Sequence, residues 1–293
     1  MQELCSTQGT SDYATFLRTP YVGLIQLLQT FRSCKPLLVR VLEHLPQLLP
    51  REYSIASFHG KENGRLRFVF NVIELPDFPW VSKRFGLCTK WLDDITTHMR
   101  STSGMVEKLD TMSIQDTHVP MYFRKPTGFR FPDDPTKPLI MIGPGTGVAP
   151  YVGFLEKREQ LRESNPEVQL GPAVLFFGCR YRGKDELYGE VLEEFKRKGI
   201  LTELFTCYSR EGGSEVKYVQ HNILAHRQLV CDLLFKQGGA MYICGDAKGM
   251  GRDVTNTVLQ LIQDEHNLTD KMEAVKMLNT MRENKQFLED VWT

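Results

Sequence analysis

The chain has 293 residues, enough for one large core or two ordinary ones. It is 41% hydrophobic and 25% charged, the ordinary texture of a water-soluble protein. Lysine plus arginine and aspartate plus glutamate both number 36, which leaves no net field to favour nucleic acid or an anionic membrane. The seven cysteines are odd in number and the nearest two, Cys231 and Cys244, are 13 apart, which fits neither a disulfide framework nor a CxxC metal site. Reduced thiols, no metal and a cytoplasmic location are the expectation. No run of about 18 apolar residues is present, and Met1 to Thr10 lacks the apolar stretch of a secretory signal, so neither a membrane segment nor export is expected.

From Tyr13 to Leu49 apolar residues recur at helical spacing, as in Leu24, Leu27, Leu28 and Phe31, then Leu38, Val41, Leu42 and Leu45. The spacing predicts helices that pack together. After Pro50 the pattern changes. Tyr53 to Phe58 and Leu66 to Val72 are β-rich, with Gly60, Asn63 and Gly64 supplying a turn, which predicts antiparallel strands. Met121 to Arg124 is a further short strand candidate, and Lys125 to Pro138 carries four prolines, the expected domain boundary. Beyond it apolar strands are predicted at 139–142, 173–177, 201–207 and 240–244. Helical patterns alternate with them near 150–164, 185–198, 218–236, 247–265 and 270–284. That alternation predicts a doubly wound parallel sheet, so the fold class is α/β plus β.

Such sheets bind ligands at the carboxyl ends of their strands. The run Leu139 to Pro150, LIMIGPGTGVAP, is a buried strand, a turn with Gly143, Gly145 and Gly147, and a helix opened by a proline. Amides freed in that turn, with the positive pole of the helix behind them, suit a dinucleotide diphosphate, although the same turn can be a tight connection only. Gly178, Cys179 and Arg180 follow the second strand, Ser209 and Arg210 the third, and Cys244, Gly245 and Asp246 the fourth. Ser209 and Arg210, with Lys217, Tyr218 and Gln220, combine cations, hydroxyls and an aromatic face suited to a 2′-phosphoadenosine, which favours NADP over NAD. A solvated basic loop is the plainer alternative. In the β-rich part, Arg51, Tyr53 and Ser54 form RxYS, and Gly86, Leu87, Cys88 and Thr89 precede a helix. An arginine can pair with a diphosphate, a tyrosine can lie on an isoalloxazine and a helix start can take phosphate. Packed core and a helix cap explain Tyr53 and Thr89 equally. The chain closes on Glu289, Asp290, Val291 and Trp292, an acid and a penultimate indole, and a tryptophan so near the end is expected to pack somewhere, if only to plug a gap.

Taken together, RxYS, GLCT, GPGTGVAP, FFGCR, YSR with KYVQ, YICGDA and the final DVW resemble the ferredoxin-NADP reductase-like half of the diflavin reductases, in order and spacing from Arg51 onward. FNVIE at 70–74, GLCTKWL at 86–92, FPDDPTKP at 131–138 and KYVQ at 217–220 are closer to the methionine synthase reductase branch than to the cytochrome P450 reductases. The resemblance implies three segments: 1–49 as the end of a helical connecting domain, 50–136 as an FAD-binding β-barrel domain and 137–293 as an NADP-binding domain. It implies that Arg51, Glu52, Tyr53 and Ser54, with Gly86, Leu87, Cys88 and Thr89, hold FAD, and that Trp292 covers its ring.

Gly145 and Thr146 would contact the NADPH diphosphate. Arg180, Ser209, Arg210, Lys217, Tyr218, Val219 and Gln220 would hold the adenosine end, with Asp246 and Asp253 as further NADP residues. Ser54, Cys244, Asp290 and Trp292 are the implied catalytic group for hydride transfer from NADPH to FAD. A flavodoxin-like FMN domain belongs to such proteins and is expected ahead of this segment, in cis, since only 50 residues precede Arg51. The barrel is expected to be incomplete for the same reason. Methionine synthase is the implied partner, and reductive reactivation of its cobalamin the implied purpose. The alternatives are a non-catalytic NADP(H)- or partner-binding fragment and a cytochrome P450 reductase-like member.

Overall fold

The structure, a computed structural model, describes residues 2–58, 65–76, 83–103, 118–124, 128–213 and 215–292. By internal contacts the chain divides into two units. One comprises Met1–Glu52 and Phe70–Met121, the other Tyr53–Val69 and Tyr122–Thr293.

The second unit is built on five strands: β1 (Leu139–Ile142), β2 (Ala173–Cys179), β3 (Glu203–Tyr208), β4 (Ala240–Asp246) and β5 (Phe287–Trp292). They pair in the order β3-β2-β1-β4-β5, all parallel. Because successive side chains of a strand point to opposite faces, β1 divides its residues between two cores. Leu139 and Met141 join Tyr151 and Leu155 of α5 (Ala149–Ser164) and Leu192 and Phe195 of α6 (Gly189–Arg197). Ile140 and Ile142 join Val219 and Ile223 of α7 (Val219–Ala225), Val230 of α8 (Arg227–Cys231), Val258 and Leu261 of α9 (Arg252–Glu265) and Leu278 of α10 (Lys271–Glu283). All four β1 side chains are fully buried. Each is worth about 1.5–3 kcal/mol over exposure. Apolar runs of this kind suit strands covered on both faces.

The strand order reverses between β1 and β4, and a crevice at that switch point is where open α/β sheets take their ligands. At the opposite end of the sheet, Arg158 of α5 braces the chain just before β2 and β3 begin. Its guanidinium is buried, with Nε donating to the Ile200 carbonyl at 3.0 Å and Nη2 to that of Gly171 at 2.6 Å. Burial, and then Arg162 nearby, lowers its pKa to about 10.

β5 was not among the predicted strands. FLEDVW carries two acids and lacks a continuous apolar run, yet it pairs with β4 from Met241↔Phe287 to Asp246↔Trp292, with Phe287 buried in the core. The third strand runs two residues later at its start and one later at its end than the predicted 201–207. Of the antiparallel strands expected in 53–72, the second unit contains one bridge, Ile55↔Phe68.

In the first unit, helices α1 (Thr10–Tyr13), α2 (Leu24–Thr30) and α3 (Leu38–His44) precede α4 (Leu87–Ser103). Leu17 and Phe16 share an apolar cavity of about 280 Å³ with Leu27 and Phe31, whereas Leu38, Val39 and Leu42 of α3 are exposed. Packing thus joins the first two segments of the predicted helical stretch, and α3 leaves its apolar residues to solvent. A bridge links Glu74 and Phe85, and the Arg84 guanidinium donates to the carbonyls of Pro20 and Tyr21. Met121 to Arg124, a strand candidate by sequence, is not in a strand. Among the described residues no helix is long and apolar enough to cross a membrane.

Candidate functional site

At the switch point the turn Gly145–Val148 follows β1 and leads directly into α5, with Pro150 in its first turn. Gly145 has φ +56°, in the left-handed region. Gly147 lies against β4: a Cβ there would stand 2.1 Å from the carbonyl oxygen of Cys244. Only a hydrogen fits between turn and strand. Thr146, half-buried, rides on this turn.

Cys244 opens onto the second part of the site. It is buried, and in the β4–β5 register it lies opposite Asp290. The Ser54 hydroxyl donates to Asp290 Oδ2 at 2.6 Å, with the Cys244 Sγ 3.9 Å from the same hydroxyl and 4.0 Å from the same carboxylate oxygen. Three residues separated by up to 236 positions therefore converge at one strand end. Burial first, and then the Asp290 carboxylate, push the Cys244 thiol up to about 12, against a smaller opposing effect of the Ser54 hydrogen bond. The thiol is neutral at physiological pH. Tyr151, buried beneath, donates its hydroxyl toward the carbonyls of Ile142 and Tyr242, each at 2.9 Å, and so ties α5 to the end of β1 and the middle of β4. Its phenol is held well above the usual tyrosine range, mainly by burial. Trp292 stands two residues beyond Asp290, opposite Asp246, and is exposed.

The ends of β2 and β3 form an open rim. Ser209 N donates to the Cys179 carbonyl at 2.9 Å and Arg210 N to that of Arg180 at 3.0 Å, which sets the two loops side by side. The Arg180 side chain is held by Asp185, its Nε 2.8 Å from Oδ2, and this hydrogen bond and charge raise its pKa. Arg210 is exposed and makes no ion pair among the described residues. Tyr218 opens α7 with its ring half-exposed and 5.6 Å from that of His221, edge to face. Lys217 N donates to His221 Nδ1 at 3.3 Å, Val219 is buried beneath and Gln220 is half-buried. Asp246 accepts from Gly249 N at 2.6 Å, capping the turn after β4, and Asp253 in the first turn of α9 pairs with Arg252 at 3.2 Å.

The remaining predicted residues fall in both units. In the first, Arg51 donates to the Leu49 carbonyl and is exposed beside Glu52, and Gly86 directly precedes α4. Thr89 is buried, its hydroxyl accepting from Ile73 N at 3.2 Å and donating to the Gly86 carbonyl at 3.3 Å. Leu87 is exposed and Cys88 half-buried. No acid occupies this first turn, so the amide pole of a 17-residue helix stays positive, a fit for phosphate. In the second unit Tyr53 packs its ring 5.2 Å from Phe68, one residue before Ser54.

Residues 1–91 match the model of an FAD binding domain and residues 141–256 that of an oxidoreductase NAD-binding domain. Over 299 residues, all of this chain, it is 42% identical to methionine synthase reductase of Mus musculus, of which it covers 43%. The chain therefore pairs an FAD binding domain with an oxidoreductase NAD-binding domain. Identity to methionine synthase reductase of Caenorhabditis elegans is 34% over 99% of the chain and 40% of that protein. To NADPH–cytochrome P450 reductase of Drosophila melanogaster it is 32% over 98% and 39%. The chain spans less than half the length of these relatives. The fit of a dinucleotide and of FAD to this chain is visible at Gly145, whose φ of +56° turns the backbone so that a Cβ would meet only open space, and in the acid-free start of α4. Sequence reasoning missed Tyr151 and Glu156. The first reads as an ordinary apolar helix position, the second as a solvent-facing acid.

Proposed function

We propose that this chain is the NADPH-oxidising, FAD-carrying part of a methionine synthase reductase-like protein. The observation that carries the reading is that the Gly145–Val148 turn packs on Cys244, and Cys244 stands beside Asp290 and Ser54. A diphosphate seated on the turn delivers the nicotinamide to this corner. Bound FAD supplies a two-electron acceptor for the nicotinamide hydride. The carboxylate of Asp290, fixed by the Ser54 hydroxyl, offsets positive charge that develops on the nicotinamide as the hydride leaves, and such preorganised charge acts most strongly out of bulk water. The neutral Cys244 thiol fills the corner without adding a competing anion. Ser209, Arg210, Lys217 and Tyr218 take the 2′-phosphoadenosine end, Arg180, Val219 and Gln220 support them, and Asp246 and Asp253 border the site. Arg51, Glu52, Tyr53 and the start of α4 from Gly86 to Thr89 would hold FAD, and Trp292 would shield it and yield to the nicotinamide.

In the full-length protein the electrons leave singly through an FMN domain toward methionine synthase, in the cytoplasm, to restore its cobalamin. The higher identity to methionine synthase reductases than to the cytochrome P450 reductases supports that partner. The test is to load the purified chain with FAD and add NADPH with ferricyanide. Ferricyanide reduction that requires both NADPH and FAD is expected. A flavin-loaded chain that leaves ferricyanide oxidised contradicts the reading.

A further inference from the structure

The Ser54 hydroxyl reaches Asp290 from a segment, Tyr53–Val69, that belongs to no strand of the sheet, so something must hold that segment in place. Glu156 of α5 does so. Its side chain is only 9% exposed, an expensive place for a carboxylate unless donors satisfy it. Oε2 accepts from Phe58 N at 2.9 Å, and Oε1 receives the Arg67 guanidinium. One carboxylate therefore grips both limbs of the antiparallel pair that contains Ser54. The limbs are also tied to each other: Ala56 N donates to the Arg67 carbonyl at 2.7 Å, Arg67 N to Ser57 Oγ at 3.0 Å, and Ile55 bridges Phe68. One helical turn before Glu156, Gly153 lets the segment lie close, since a Cβ there would stand 3.2 Å from the Ser57 carbonyl oxygen. One residue after it, the Lys157 ammonium sits 5.8 Å from the Phe58 ring and 4.8 Å from that of Phe131. Glycine, carboxylate and ammonium of α5 thus make a seat for the residues just beyond Ser54.

We propose that Glu156 is a positioning residue for hydride transfer, acting through Ser54: it fixes Phe58 and Arg67 on α5 and thereby holds the Ser54 hydroxyl against Asp290. The inference rests on the functional reading above. Misplacing a reacting group by a fraction of its contact distance is enough to slow chemistry without weakening cofactor binding.

The test is a double-mutant cycle on the full chain loaded with FAD, combining Glu156→Gln with Ser54→Ala. Glu156→Gln keeps an acceptor but removes the charge that holds Arg67. With Ser54 present, it is expected to slow flavin reduction by NADPH about tenfold. With Ser54→Ala, it is expected to add less than about twofold, because groups that act through one another do not add. NADP affinity by calorimetry stays within about twofold, and the Phe58 amide exchanges its hydrogen faster in the variant. Arg67→Met repeats the cycle from the other partner should Glu156→Gln fail to fold. Equal slowing in both backgrounds, no slowing in either, or a parallel loss of NADP affinity overturns the proposal while the functional reading stands. Failure of the unmutated chain to reduce its flavin overturns the functional reading, and the role of Glu156 with it.

Discussion

The corner of Ser54, Cys244 and Asp290 and the rim of Ser209, Arg210, Lys217 and Tyr218 lie in one unit and are built in opposite ways. Each corner residue comes from a different segment, Cys244 is fully buried, and the hydroxyl of Ser54 is committed to Asp290. The rim residues come from two short neighbouring stretches at the ends of β3 and the start of α7, and Arg210, Lys217 and Tyr218 are exposed. Strand pairing of Cys244 with Asp290 and the Ser54 hydrogen bond fix the corner before any ligand arrives, whereas the rim offers unfixed charge. The difference teaches that rate and affinity are separable in this site: the corner governs the chemical step, and the rim selects the cofactor.

The strongest way to break that separation is at Asp290. Asp290→Asn keeps the shape and an acceptor for Ser54 but removes the charge, and is expected to slow flavin reduction by NADPH about 100-fold with NADP affinity within about twofold. Rapid-mixing absorbance and calorimetry measure the two. A loss of affinity equal to the loss of rate would merge the two regions.

Arg210→Ala sharpens the comparison from the other side. Losing a charge-assisted contact to phosphate is expected to weaken NADPH binding about 10- to 100-fold while the rate at saturation holds. Binding of NADH, which lacks the phosphate, should not change. Steady-state KM and kcat with both cofactors decide it.

Gly147→Ala tests where corner and turn meet. With Cys244 carbonyl oxygen 2.1 Å from the new methyl, β4 or the turn must move. A stability loss of about 1–3 kcal/mol, read from urea unfolding, is expected together with losses in both affinity and rate.

The smallest effect concerns pH. An unfolded cysteine titrates near about 8.5, and folded Cys244 at about 12. The folded state therefore keeps its proton where the unfolded state has lost it, so the contribution of Cys244 to stability is complete below the unfolded value and is lost as pH rises toward the folded one. Cys244→Ala should flatten part of the alkaline fall in the urea midpoint, and the thiol should resist alkylation in the folded protein at neutral pH. Rapid alkylation would show the corner to be open.

How much of this was legible in the sequence follows from what each element answers to. Strands β1, β2 and β4 are continuous apolar runs because both their faces are covered, and such runs are visible residue by residue. The glycine turn announces itself, since only a missing side chain permits its contact with Cys244. β5 was hidden because Glu289 and Asp290 interrupt its apolar pattern, and pairing with β4 rather than propensity makes it a strand. The union of Ser54 with Asp290 has no local signal at all, and only the resemblance placed them together in advance. Glu156 was illegible for a related reason: an acid on a helix is ordinarily solvated, and its burial depends on Phe58 and Arg67, which the fold brings from nearly 100 positions away.

The most direct measurement of the central claim is a single anaerobic turnover of the FAD-loaded chain with NADPH carrying deuterium at the transferred position. The account predicts flavin bleaching that is slowed by deuterium in the unmutated chain and slowed much further in Asp290→Asn. Bleaching indifferent to both deuterium and Asp290→Asn, or none with FAD bound, would contradict it.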